Sequence, residues 1–134
     1  MASRRVIALD VGEKRIGIAE ADTSVRIAVP HETIQVDGDE VRAVAEAVLQ
    51  SGADTLVVGY PRNQSGEPTA QTAYVEQFAA QLQDIPAKLV YQDESMTSVL
   101  AEQRLQRQKR PYAKEDIDAM AACLILEDYL EHTA

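Results

Sequence analysis

Three carboxylates in this sequence stand where apolar patterning alone would not put them. Asp10 closes the run Arg5-Val6-Ile7-Ala8-Leu9. Glu94 closes Leu89-Val90-Tyr91-Gln92-Asp93. Asp118 lies between Ile117 and Ala119, near the start of the last predicted helix. Burying a lone carboxylate costs free energy, and converging carboxylates raise one another's pKa unless a cation sits between them. Brought together, these three would make an all-oxygen site. That donor set suits Mg²⁺ or Mn²⁺, one or two ions, which take carboxylates, water and phosphate oxygens rather than His or Cys. The only histidines, His31 and His132, have no metal-ligand neighbours in sequence. Two such ions about 4 Å apart can activate a water and stabilise the leaving oxygen of a phosphodiester.

Each carboxylate also has a plainer reading. Asp10 at the carboxyl end of a central strand stands where α/β sheets place ligands, but an Asp there can equally open the turn before Gly12. Glu94 can complement the dipole of the helix that follows, and its position alone favours that role. Glu115 and Asp116 are well explained as first-turn dipole partners. Asp118 is less so, because Ala121, Ala122 and Ile125 put it on the border of the apolar stripe.

The elements that must position these residues are legible in outline. Arg5–Asp10 and Arg15–Glu20 read as strands within hairpin distance, with Gly12 between them, and Glu32–Val36 reads as a third strand after the turn at Pro30. Asp39–Gln50 reads as a helix with Val41, Val44, Ala45, Val48 and Leu49 on one stripe and Gly52 as its C-terminal cap. Thr55–Gly59 is a short buried strand. Val75, Phe78, Ala79 and Leu82 mark the next helix, and Ala87–Gln92 the next strand. Thr97 or Ser98 caps a helix reaching about Gln108, and the last helix runs from about Glu115 to Glu131 with Ile117, Met120, Ala121, Leu124 and Ile125 inward. The order β-β-β-α-β-α-β-α-α predicts an α/β fold. Its mixed five-stranded sheet is a three-strand antiparallel meander followed by parallel strands, with helices on both faces.

At 134 residues the chain suits a single domain, residues 1–134, and 46% hydrophobic residues supply a core. One cysteine, Cys123, excludes an internal disulfide and reads as a small core residue. No secretory leader or membrane-length apolar run is present, so a soluble cytoplasmic protein is expected. The net charge of −9 opposes a nucleic-acid partner in bulk. The distribution is uneven, however. Arg104, Arg107, Lys109, Arg110 and Lys114 follow one another with no acidic residue among them, while Asp39-Glu40 and Glu127-Asp128 lie elsewhere. On its own the basic run reads first as a solvated loop and second as a phosphate grip.

The motifs, taken together, resemble one family. Asp10-Val11-Gly12-Glu13-Lys14-Arg15-Ile16-Gly17-Ile18-Ala19 is similar to the opening motif of the YqgF family. Val57-Val58-Gly59-Tyr60-Pro61-Arg62-Asn63-Gln64-Ser65-Gly66 resembles its second motif, Asp93-Glu94-Ser95-Met96-Thr97-Ser98 its third, and Ile117-Asp118-Ala119-Met120-Ala121-Ala122 its last. These are bacterial ribonuclease H-like proteins described as Holliday-junction resolvases and as pre-16S ribosomal RNA nucleases. The resemblance covers nearly the whole chain in order. It implies a ribonuclease H-like fold with Asp10, Glu94 and Asp118 as an acidic catalytic and metal-binding triad. It also implies phosphate contacts from Lys14 and Arg15, and a place near the site for Asn63. Two positions depart from the pattern: Ser95 stands where the family has Arg, and Arg62 where it has an apolar residue.

The expected function is therefore metal-dependent phosphodiester hydrolysis. RNA is favoured as substrate and branched DNA is the alternative, with Arg104, Arg107, Lys109 and Arg110 gripping the backbone. A monomer or weak homodimer is expected, because the sequence carries no convincing dimer signature, and no membrane partner. Two other classes fit the sequence less well. An actin-like phosphotransferase also opens with Asp-x-Gly on a hairpin, but it needs two such domains. A binding module without turnover would have little use for three converging carboxylates.

Overall fold

A computed structural model describes residues 4–61, 67–94 and 97–133. The elements are β1 (Arg5–Val11), β2 (Arg15–Asp22), β3 (Val29–Pro30), β4 (Ile34–Gln35), α1 (Glu40–Ser51), β5 (Thr55–Pro61), α2 (Ala70–Ala80), β6 (Lys88–Glu94), α3 (Thr97–Arg107) and α4 (Lys114–His132). The sheet order is β3-β2-β1-β5-β6, with β4 also paired to β2. β1 and β2 are antiparallel, and β1, β5 and β6 run parallel. The mixed sheet with an antiparallel start and parallel continuation is thus as the sequence pattern implies.

The third strand differs from its expected form. Instead of one run over Glu32–Val36, the outer position beside β2 is shared by the short β3 and β4. Pro30 lacks an N–H for the ladder. Between the two pieces the chain leaves the sheet, where the Thr33 hydroxyl donates to the Glu115 carbonyl at 2.7 Å.

Alternation along the strands feeds two cores. Ile7, Leu9, Ile16, Ile18, Leu56 and Val58 face α1 and α2, meeting Val44, Val48, Val75, Phe78 and Leu82. Val6, Ala8, Ala19, Ala21 and Val57 face α3 and α4, meeting Ala101, Leu105, Met120, Ala121, Ile125 and Leu126. Helices therefore cover both faces. The stripe expected on α1 is rotated: Ala47 is buried with Val44 and Val48, whereas Leu49 is 59% exposed. Gly52 caps α1 in the left-handed region at φ 71°, as expected.

The two cores differ in side-chain size. On the α4 side, β1 and β2 present Ala8, Gly17, Ala19 and Ala21, so α4 comes close to the sheet. At Gly17 the approach is complete: a Cβ there would stand 1.9 Å from the Asp118 carbonyl oxygen. Cys123 is buried in this layer, and burial pushes its thiol up to about 12. Among the described residues no helix is long and apolar enough to cross a membrane.

Two outcomes follow from this packing. Gly17→Ala forces α4 off β2 and should destabilise the chain by about 3 kcal/mol or more, read as a lowered urea midpoint. A midpoint within experimental error of the wild type would show that α4 is free to adjust. Cys123 should resist iodoacetamide at pH 8 in the native protein and react once unfolded, as followed by mass spectrometry.

Candidate active site

The three parallel strands end at the same edge of the sheet, and each sequence-predicted carboxylate is delivered to that edge by a different element. Asp10 is the penultimate residue of β1 and shares the α4-facing side with Ala8. Its antiparallel partner across the hairpin is Gly17, on which the backbone of α4 rests. The contact at Gly17 therefore puts Asp118, in the second turn of α4, beside Asp10. Glu94 is the last residue of β6, opposite Pro61 of β5.

Gly59 makes the space between them. It lies on β5, the strand between β1 and β6. A Cβ on Gly59 would stand 3.0 Å from Glu94 Cδ and 2.6 Å from Ile125 Cδ1. The missing side chain gives Glu94 room to lie over β5 toward β1. Glycines inside strands usually mark such close approaches. Gly17 and Gly59 both stood inside quoted motifs, and that signal could have singled them out.

The electrostatics register the convergence. Asp10 is pushed up to about 8, first by burial and then by the charges of Glu94 and Asp118. Burial also raises Glu94, opposed by the Thr97 hydroxyl, which donates to its Oε2 at 2.8 Å. Thr97, expected only as a helix cap, thus holds a carboxylate of the site. Asp118 Oδ2 accepts from Arg15 Nε at 2.5 Å.

The β1–β2 turn closes the other side. The Gly12 N–H donates to the Arg15 carbonyl at 3.0 Å, and a Cβ at Gly12 would stand 2.8 Å from that oxygen. The Gln71 amide of α2 donates to the Val11 carbonyl at 3.0 Å, which braces the turn. Gly12, Glu13, Lys14, Arg15, Gln71 and Asp118 line a cavity of about 390 Å³.

The remaining predicted contacts fall elsewhere. Arg104 is committed to α4, its two terminal nitrogens donating to Glu127 at 2.9 and 3.0 Å. Arg107 and Lys109 are exposed at the end of α3 and just beyond it. Arg110 lines a separate cavity of about 600 Å³ with His31, Gln108, Tyr112 and Asp116, and none of the three carboxylates belongs to it. Tyr112 packs against the α3–α4 core and donates to Glu102 at 2.9 Å, a packing role rather than an open stacking face. Asn63, Arg62 and Ser95 lie outside the described residues.

The donor chemistry fits a hard divalent cation. The converging groups are carboxylate oxygens, and the charge repulsion that lifts Asp10 is what a bound cation would remove. Among the described residues no three metal-capable side chains stand at holding distance as they are. Holding an ion would require these side chains to re-orient, with Asp118 leaving its bond to Arg15.

Comparisons with known proteins converge on one family. A family profile described as "RuvX: Holliday junction resolvase" matches residues 4–132. The chain is 38% identical over 138 residues to a protein of Chloroflexus aggregans named "Putative pre-16S rRNA nuclease", covering 98% of this chain and 96% of that one. It is 40% identical over 137 residues to a protein of Chloroflexus aurantiacus with the same name, covering 98% and 89%. Among solved structures, T. thermophilus RuvC in complex with a Holliday junction substrate is similar at TM-score 0.59 and 14% identity, over 97% of this chain and 95% of that one. Fowlpox virus resolvase in complex with Holliday junction DNA is similar at TM-score 0.59 and 12% identity, over 96% and 98%. These two likenesses establish the fold, which is that of the RuvC-like ribonuclease H-type resolvases, and the sequence matches establish the relationship: the chain belongs to the RuvX family.

Proposed function

We propose that this chain is a metal-dependent nuclease that hydrolyses phosphodiester bonds in the processing of pre-16S ribosomal RNA, as a single domain spanning residues 1–134. The observation that carries the reading is the convergence of Asp10, Glu94 and Asp118 on one sheet edge, where burial first and then the charges of Glu94 and Asp118 lift Asp10 to about 8. The names of the relatives support the RNA substrate. A second reading, resolution of branched DNA, is favoured by the description of the family and by the junction complexes of its structural neighbours.

In this reading Asp10, Glu94 and Asp118 hold one or two Mg²⁺ or Mn²⁺ ions. Bound there, the metal supplies a water of lowered pKa and offsets charge on the phosphate. The chain's own residues do the positioning. Asp10 gives up its proton to serve as a ligand. Thr97 fixes the rotamer of Glu94 by its hydroxyl bond. Lys14, exposed at the β1–β2 turn, places a positive charge at the mouth of the cavity beside Asp118.

Labelled single-stranded RNA bearing a 16S precursor end, duplex DNA and a four-way junction should be incubated with Mg²⁺ or Mn²⁺. Wild type should cut the RNA, and Asp10→Asn should not. Preferential junction cleavage would select the second reading, and no cleavage by folded protein would sink both. Thr97→Val should lower activity by roughly 10- to 100-fold and Thr97→Ser should restore it; full activity in Thr97→Val would remove the positioning role.

The proton on Asp10 has a stability consequence. Its pKa is raised in the folded chain, so the folded state keeps a proton that the unfolded chain has released above about pH 4. That contribution is complete below pH 4 and is lost as pH climbs toward 8. In chelator, thermal stability of wild type should fall more between pH 5 and pH 8 than that of Asp10→Asn. Parallel curves would mean that Asp10 carries no extra proton.

A further inference from the structure

We propose that Arg15 is an exchangeable counter-ion of the site. It neutralises Asp118 while no divalent cation is bound, and it turns to a substrate phosphate when the cation takes Asp118. This rests on the nuclease reading and specifies how the site changes hands between metal and substrate.

The geometry points to exchange rather than to a fixed brace. Arg15 Nε meets Asp118 Oδ2 at 2.5 Å, so a positive group already engages one of the two oxygens that Asp118 could offer a cation. A guanidinium does not lose its proton, so it cannot yield to a metal by titration; it has to move. The surroundings permit movement. The Arg15 and Asp118 side chains keep 24% and 20% of their surface exposed, and both line the cavity beside Lys14 and Gln71. The bond uses one of the five N–H donors that a guanidinium carries, and that fork suits a phosphate as well as a carboxylate. Arg104 offers the contrast: its bond to Glu127 engages both carboxylate oxygens, the geometry of a structural tie.

The test begins without nucleic acid. Free Mn²⁺ is followed by electron paramagnetic resonance during titration of the full chain as wild type, Arg15→Gln, Arg15→Lys and Asp10→Asn, each checked for folding by circular dichroism. Exchange predicts that Arg15→Gln binds Mn²⁺ roughly tenfold tighter than wild type, because the competing charge is gone. Arg15→Lys should lie between them, and it carries the comparison if Arg15→Gln does not fold. Equal or weaker binding by the Arg15 variants overturns exchange. If Asp10→Asn nevertheless loses Mn²⁺, the metal-site reading survives that failure. No binding by any variant overturns both.

The second arm measures labelled single-stranded RNA by anisotropy in chelator. Asp118→Asn should release Arg15, tighten RNA binding several-fold and steepen the salt dependence by about one charge. Adding Arg15→Gln should cancel that gain. A gain that persists in the double variant overturns Arg15 as the phosphate ligand, since it would then come from losing the Asp118 charge alone.

Discussion

The contact between the backbone of α4 and Gly17 governs the arrangement of this molecule. A helix rests against a sheet at the distance set by the side chains between them, and here that distance is set by a hydrogen atom. The small residues Ala8, Ala19 and Ala21 extend the same low surface along β1 and β2. Because the helix sits so low, a side chain from its second turn reaches the level of a strand-end carboxylate. A bulkier strand surface would lift α4 and carry Asp118 away from Asp10. The burial that stabilises this layer and the crowding of acidic groups at its end thus have one origin.

A net charge of −9 does not by itself oppose a phosphate-directed site at that edge. The overall charge describes long-range approach, whereas catalysis depends on what a few ångströms contain. Three acidic side chains at one sheet edge are unfavourable until a positive partner arrives. The folded chain answers this locally, with a raised pKa at Asp10, a hydroxyl on Glu94 and a guanidinium on Asp118.

Much of this was legible in the sequence. Apolar runs and helical stripes located nearly every element, and the strand and helix order gave the sheet. The three candidate ligands were found because acidic residues stood at the ends or borders of apolar patterns. What escaped was whatever depends on contact between distant segments. The edge strand is interrupted after Pro30, and the Thr33 bond to α4 at that interruption is a long-range contact that no local pattern records. The stripe on α1 is rotated because its orientation is fixed by the sheet, leaving Leu49 outward. Arg104 sits in a basic run and yet serves as a tie to Glu127, 23 residues on. The functions of Gly59 and Thr97 arise only when the end of β6 lies beside β5 and α3.

The small hairpin edge of the sheet holds α4 at two places. Thr33 bonds to the carbonyl of Glu115 near the start of the helix, and Arg26, itself in a left-handed backbone conformation, bonds to that of Leu130 near its end. These two ties bracket Asp118 along the helix and oppose sliding of α4 past the end of β1, so the spacing between Asp118 and Asp10 depends on loop side chains far from both in sequence.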